Sequence, residues 1–82
     1  MDQTRVAMLA IFEEDPAHID QLNQILHTYR QYIIGRRGIP YEKRNISLIS
    51  IAVDAPADVI SAMSGTLGML DGVTTKAVYS KL

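Results

Sequence analysis

Residues 4–13 form a run of apolar side chains that predicts a β-strand. One face of this strand carries Val6, Met8, Ala10 and Phe12, and the other carries Ala7, Leu9 and Ile11. Because both faces are apolar, we expect the strand to be covered on both sides. In a domain of this size the helices can cover one face of a sheet, so a partner subunit would have to cover the second.

A helical pattern follows the strand. Asp15 can cap the helix, and Pro16 suits its first position, where the missing N–H costs nothing. Apolar residues then recur three and four positions apart in one stripe, namely Ile19, Leu22, Leu26, Tyr29 and Ile33. This spacing predicts an amphipathic helix that runs to about Ile33 and ends at Gly35.

The stretch from Tyr32 to Asn45 is the longest part of the chain without a regular pattern. Its apolar residues predict a short strand around residues 33–41, with Gly35 and Gly38 at bulge or turn positions. Pro40 restricts this strand to a sheet edge or to a strand end, because proline cannot donate a ladder hydrogen bond. The polar residues that follow predict a solvated turn, namely Lys43, Arg44 and Asn45.

The second half repeats the first. Residues 46–53 predict a strand with Ile49, Ile51 and Val53 on one face and Ile46 and Leu48 on the other. The segment from Asp54 to Pro56 resembles the start of the first helix, and a stripe of Ile60, Met63, Leu67 and Leu70 continues it. A turn at Asp71-Gly72 precedes a last strand over residues 73–80.

The predicted order is strand, helix, strand, strand, helix, strand. This order is typical of an α+β, ferredoxin-like βαββαβ sandwich, with a four-stranded antiparallel sheet and two helices on one face. The 82 residues fit a single domain over residues 1–82. A chain this short buries only about 60% of its unfolded surface, so an exposed apolar sheet face favours a homo-oligomer, a dimer or a tetramer.

Three tracts carry a resemblance to a known family: YIIGR at residues 32–36, GIPY at 38–41 and ISLISIAVD at 46–54. With them, nearly the whole chain resembles the iron-only hydrogenase system regulator family. The resemblance implies an ACT-like variant of the fold. It also implies a regulatory role in the transcription or the maturation of iron-only hydrogenase. The family is also similar to the C-terminal domain of nickel-responsive repressors, which form tetramers, so the resemblance implies an oligomer as well.

Two departures limit the ligands that the resemblance implies. Amino-acid-binding ACT domains often have Asp-x-Pro-Gly after the first strand, but Ala17 stands here in place of that glycine. The chain also has no cysteine and only two histidines, His18 and His27. Nine residues on one helix place these histidines on opposite faces. We therefore expect no metal site and no cofactor.

Basic residues concentrate in the central stretch, where only Glu42 offsets them. They define a candidate site for a small anionic effector, or an interface, that consists of Gly35, Arg36, Arg37, Gly38, Tyr41, Lys43 and Arg44. The alternative is a solvated turn whose arginines pair with the carboxylates of Glu13, Glu14 and Asp15 of the same subunit or of another subunit. The two glycines fit no phosphate-binding motif, so we interpret them as backbone devices.

Several classes of function are disfavoured. No nucleophile with a neighbouring base and no ligand set for a metal is recognisable, so we expect the protein not to be an enzyme. The net charge of −1 argues against direct nucleic-acid binding. The absence of a long apolar run or signal peptide predicts a soluble cytoplasmic protein that does not cross a membrane. Two hypotheses remain: an oligomeric regulatory or sensor domain with an effector between subunits, and a docking module that binds a partner protein through the basic stretch.

Overall fold

Four strands and two α-helices follow one another in residues 3–81, the part of the chain that this computed structural model describes. Their bounds are β1 Arg5–Glu13, α1 Ile19–Thr28, β2 Ile33–Tyr41, β3 Ile46–Ala55, α2 Ala57–Gly68 and β4 Val73–Tyr79. Short 3₁₀ turns lie at Pro16–His18, Arg30–Tyr32 and Glu42–Arg44. No helix within residues 3–81 has the length and hydropathy needed to cross a membrane.

The strands form one antiparallel sheet in the order β2-β3-β1-β4. This order, together with the alternation of strands and helices, confirms the predicted α+β, ferredoxin-like fold. β2 lies at an edge of the sheet, as the presence of Pro40 predicts. The turn after β2 is also where the sequence predicts it, and Asn45 ends it in the left-handed conformation, with a φ of 54°.

The core lies between one face of the sheet and the two helices. Alternate residues of the central strands β1 and β3 are buried, as the two-residue period predicts. They pack against the buried face of α1 (Leu22 and Leu26) and that of α2 (Ile60, Met63 and Leu67). The other face of the sheet has no helix on it, and its side chains are exposed or half-buried.

The first helix is shorter than predicted. The prediction ran it to about Ile33 with Gly35 as its end, but α1 ends at Thr28 and the backbone of Tyr29 has left the helical region. A 3₁₀ turn follows, and Ile33 already belongs to β2. Tyr29 and Ile33 still pack against the core. The apolar stripe therefore continues through a change of secondary structure, and its spacing alone could not show where the helix ends.

The two glycines of β2 have different settings. Gly35 is a strand residue beside a register shift, between Ile33 and Gly35, so the prediction that it ends the helix is wrong and the bulge is present. Gly38 pairs regularly with Ile49 and forms no bulge. A Cβ added at either glycine would meet no atom within 4 Å.

The two helices begin differently, although the sequence predicts the same device for both. The carboxylate of Asp15 accepts a hydrogen bond from the Ala17 N–H at 3.0 Å and thereby caps the 3₁₀ turn Pro16–His18, whereas α1 itself begins after His18 without a side-chain cap. Before α2, in contrast, Pro56 itself is the capping residue and makes no side-chain hydrogen bond. Asp54 belongs to β3 and does not cap α2, because β3 runs to Ala55.

A tight corner joins the end of β1 to the turn before β4. The Glu14 N–H donates to the Gly72 carbonyl at 2.6 Å. Gly72 has a φ of +76°, and a Cβ at this position would lie 2.6 Å from the Cβ of Asp15. Glycine is therefore required here both by the backbone conformation and by the close approach of the chain.

Candidate functional site on the open sheet face

The sheet face that points away from the helices is called the open face here. It carries every second residue of each strand. On the central strands these are Val6, Met8, Ala10 and Phe12 of β1 and Ile46, Leu48, Ser50, Ala52 and Asp54 of β3. On the edge strands they include Arg37, Ile39 and Tyr41 of β2 and Thr74, Lys76 and Val78 of β4. This is the second apolar face that the sequence predicts.

Large exposed hydrophobic side chains concentrate on the open face. Residues 3–81 contain eight of them, and six lie there: Val6, Met8, Phe12, Ile39, Tyr41 and Val78. The exposed fraction is 44% for Phe12 and 64% for Val78, whereas Leu9 on the opposite face of β1 is fully buried. A soluble monomer rarely exposes this many large apolar side chains on one face, so the open face is the candidate interaction surface.

The middle of the open face has a charged row with small residues at its centre. The strand register aligns Arg37, Ser50, Ala10 and Lys76 across all four strands. Larger side chains of the flanking row, which include Ile39, Leu48 and Phe12, stand beside it. They enclose a depression of about 200 Å³ next to Arg37 and Ser50. We call this row and its depression the trough.

The candidate residues of the central stretch do not converge on one site. Arg37 and Tyr41 lie on the open face, because side chains alternate along a strand. Arg36 points to the helix side, where its Nη2 donates to the Asn23 Oδ1 of α1 at 2.5 Å. Gly35 and Gly38 are the two positions of β2 without a side chain.

Lys43 and Arg44 lie further along the chain, in the exposed 3₁₀ turn between β2 and β3. Within residues 3–81 of one chain, no ion pair joins the basic cluster to Glu13, Glu14 or Asp15, and pairing with these carboxylates of another subunit stays a prediction. The cluster is thus divided among the open face, the helix side and a turn.

Sequence reasoning missed three polar residues that the fold places in notable positions. Ser50 and Lys76 complete the trough, but they are distant from Arg37 in sequence and only the strand register aligns them. Glu13 is the last residue of the predicted first strand, and its side chain is buried on the helix side. The two-residue period of β1 places Glu13 on the same face as Leu9 and Ile11, and this period is the signal that could have identified it.

The two histidines have separate environments. The Nδ1 of His18 lies 2.6 Å from the Gln21 Oε1, and its Nε2 lies 3.8 Å from the Asp15 Oδ2. His27 instead borders a depression beside Arg30 and Arg36. No group of three or more histidine, aspartate or glutamate residues within residues 3–81 is placed to hold a metal.

Comparisons with known proteins agree with this fold. The TM1266-like family model, described as "Iron-only hydrogenase system regulator, putative", matches residues 5–77. Among solved structures, that of uncharacterized protein TM1266 from Thermotoga maritima matches with a TM-score of 0.92 and 32% sequence identity. The match covers 96% of this chain and 100% of that one. Comparison with curated proteins finds no match.

Proposed function

Because this chain belongs to the iron-only hydrogenase system regulator family, we propose that it is a regulatory domain whose subunits associate through the open face. The observation that carries the proposal is the alignment of six large exposed hydrophobic side chains on one side of the sheet. A second copy of this chain is the occupant that we assign to this face. Association would remove those side chains from water, and the hydrophobic effect would drive it.

The size of the open face supports a second copy. Four strands about 4.8 Å apart, each followed for about 25 Å, give a flat footprint of roughly 500 Å² per subunit. Two such footprints, roughened by side chains, approach the lower end of stable interfaces, about 1,200 Å² in total. Stacked sheets of this kind pack about 10 Å apart, so the side chains of both faces would interdigitate.

The charges on the open face also suit a self-complementary interface. Asp54 lies at one end of the face, two rows away from the trough with Arg37 and Lys76. In a two-fold interface each subunit presents the same patch to the other. Asp54 of one subunit can therefore meet a cation of the second copy.

The trough suggests how such an oligomer would sense a ligand. Each open face carries two cations in one row, Arg37 and Lys76, and within residues 3–81 neither has an ion-pair partner. Enclosure between two sheets would make these charges costly unless an anion accompanies them. A small anionic effector held there would bind the oligomer better than the monomer. It would thereby shift the population toward the oligomer and transmit a signal to hydrogenase expression or maturation.

A docking module is the second candidate, and one observation favours it. Lys43 and Arg44 are exposed in the turn beside the edge strand β2, away from the trough. Such a turn can contact an acidic partner protein while the open face remains occupied by a second copy. The two functions therefore use different residues and can be separated by substitution.

The oligomeric state of the purified protein tests the proposal. Sedimentation velocity at micromolar concentration should show a dimer or a tetramer for the wild-type chain. Met8→Lys places a charge on the open face and should yield monomers, since Met8 is 47% exposed at its centre. Met69→Lys is the matched control, because Met69 is an even more exposed methionine, at 84%, that lies after α2. A wild-type monomer, or equal behaviour of the two variants, would contradict the proposal.

A further inference from the structure

Glu13 is the buried charged residue of residues 3–81, with only 3% of its surface exposed. Its Oε1 atom is fully enclosed and has no hydrogen-bond partner. Within the described part of the chain no ion pair reaches the carboxylate either. A buried carboxylate is strongly disfavoured unless a counter-charge or hydrogen-bond donors accompany it. A ligand from outside the chain that contacts this carboxylate would supply the partner that Oε1 lacks.

Glu13 borders a depression of about 100 Å³ at the end of the sheet. Ser47 lies directly opposite Glu13 in the register of β1 and β3. The same depression is bordered by Glu42 and Asn45 of the turn between β2 and β3, and by Pro16. Its volume is large enough for a small hydrated ion.

The polar residues that border this depression carry two carboxylates, a side-chain amide and two hydroxyl groups, namely Glu13, Glu42, Asn45, Tyr41 and Ser47. Pro16, Pro40 and Ile46 form its apolar part. No lysine, arginine or histidine borders it. Oxygen ligands with a negative charge and no nitrogen or sulfur are those that hard cations such as Mg²⁺ and Ca²⁺ prefer.

We propose that this depression binds a small hard divalent cation, Mg²⁺ or Ca²⁺, with Glu13 as its buried carboxylate ligand. Glu42, Asn45 and Ser47 supply further oxygen atoms, and water completes the coordination. The expectation that the chain has no metal site considered histidine and cysteine ligands, which this site does not use. The cation supplies the counter-charge that Glu13 lacks, and it ties the end of β1 to the turn that carries Lys43 and Arg44.

Two measurements on the chelator-treated protein test the site. Ca²⁺ and Mg²⁺, each titrated at constant ionic strength, should raise the melting temperature of the wild-type chain to a plateau, because a cation that binds only the folded state stabilises it. Glu13→Gln should lose this rise. Asp58→Asn is the matched control, since Asp58 is an exposed carboxylate of α2, and this variant should respond as the wild type does.

Tb³⁺ luminescence gives a readout that does not depend on stability. Tyr41 borders the same depression, so a Tb³⁺ ion bound there should emit on tyrosine excitation, and Ca²⁺ or Mg²⁺ should displace it. If Glu13→Gln does not fold, Asn45→Gly replaces it, because glycine suits the left-handed backbone and only the amide is lost. Asn45→Gly should weaken Tb³⁺ binding at least several-fold.

The results that overturn the inference are equally definite. The absence of a plateau and of Ca²⁺- or Mg²⁺-sensitive Tb³⁺ emission in the wild-type chain would mean that no divalent cation binds beside Glu13. If Glu13→Gln binds Tb³⁺ as the wild type does, any bound cation lies elsewhere. The same conclusion holds for Asn45→Gly if that variant has to replace Glu13→Gln. Glu13 itself lies on the helix side of the sheet, so Glu13→Gln should leave association through the open face unchanged in sedimentation velocity.

Discussion

Truncation of Phe12 should weaken self-association by a predictable amount. Phe12 is 44% exposed on the open face, beside Leu48 and Thr74 in the register. With about 200 Å² for a whole phenylalanine, the fraction left to bury in an interface is roughly 90 Å². At about 25 cal/mol per Å², and with part of the area kept by alanine, Phe12→Ala removes about 1.5 kcal/mol per subunit. Because a dimer contains two copies, we expect a loss of about 3 kcal/mol, or about a hundredfold in Kd.

Sedimentation velocity over a dilution series measures this change, because the monomer fraction at each concentration gives Kd directly. Met69→Ala serves as the control: Met69 is more exposed than Phe12 but lies off the open face, so its Kd should match that of the wild type. Circular dichroism of the diluted Phe12→Ala protein should show that the monomer remains folded. A Kd within about threefold of the wild type would correspond to less than about 0.7 kcal/mol and would refute the assignment of Phe12 to the interface.

Two further predictions concern the backbone and the charges. Gly65→Ala should raise the free energy of unfolding by about 0.5–1 kcal/mol, because Gly65 lies inside α2 with open space around its Cα. Gly72→Ala should lower the free energy of unfolding by at least about 2 kcal/mol, because the added Cβ would collide with Asp15. Urea unfolding of both variants checks this, and a Gly72→Ala variant as stable as the wild type would contradict the corner geometry. Arg37→Ala should remove any thermal stabilisation by inorganic phosphate. Lys43→Ala combined with Arg44→Ala should remove binding to a hydrogenase maturation protein, measured by calorimetry, and should leave the oligomer intact. Loss of partner binding in Arg37→Ala, together with loss of phosphate stabilisation in the Lys43 and Arg44 variant, would reverse the roles given to the trough and the turn.

Local patterns predicted the elements of this fold and the orientation of its central strands. The strand β1 shows this most clearly: Val6, Met8 and Phe12 were expected on one face and Leu9 and Ile11 on the other, and the structure confirms both sets. Side chains of a strand alternate with a period of two, so the residue order alone assigns the faces. The position of Pro40 on an edge strand was predictable for an equally local reason, its missing N–H.

The end of the first helix was not predictable in this way. Tyr29 and Ile33 continue the apolar stripe of α1 and pack on the core, yet neither is part of the helix. The core accepts an apolar side chain from a 3₁₀ turn or a strand as readily as from a helix. The pairing of the next strand decides where the helix ends. That strand, β2, pairs with β3, which lies further along the chain.

The candidate sites show where the contribution of the sequence ends. The order of residues establishes that Arg36 and Arg37 are adjacent and basic, that apolar residues occupy both faces of the strands, and that Glu13 ends the first strand. The tertiary structure alone decided that Arg36 bonds to Asn23 while Arg37 aligns with Lys76 across the open face, and that Glu13 is enclosed opposite Ser47. The physical reason is that local order sets only the direction in which a side chain points along its own element. Its neighbours and its access to water depend on the register between strands that are distant in the sequence.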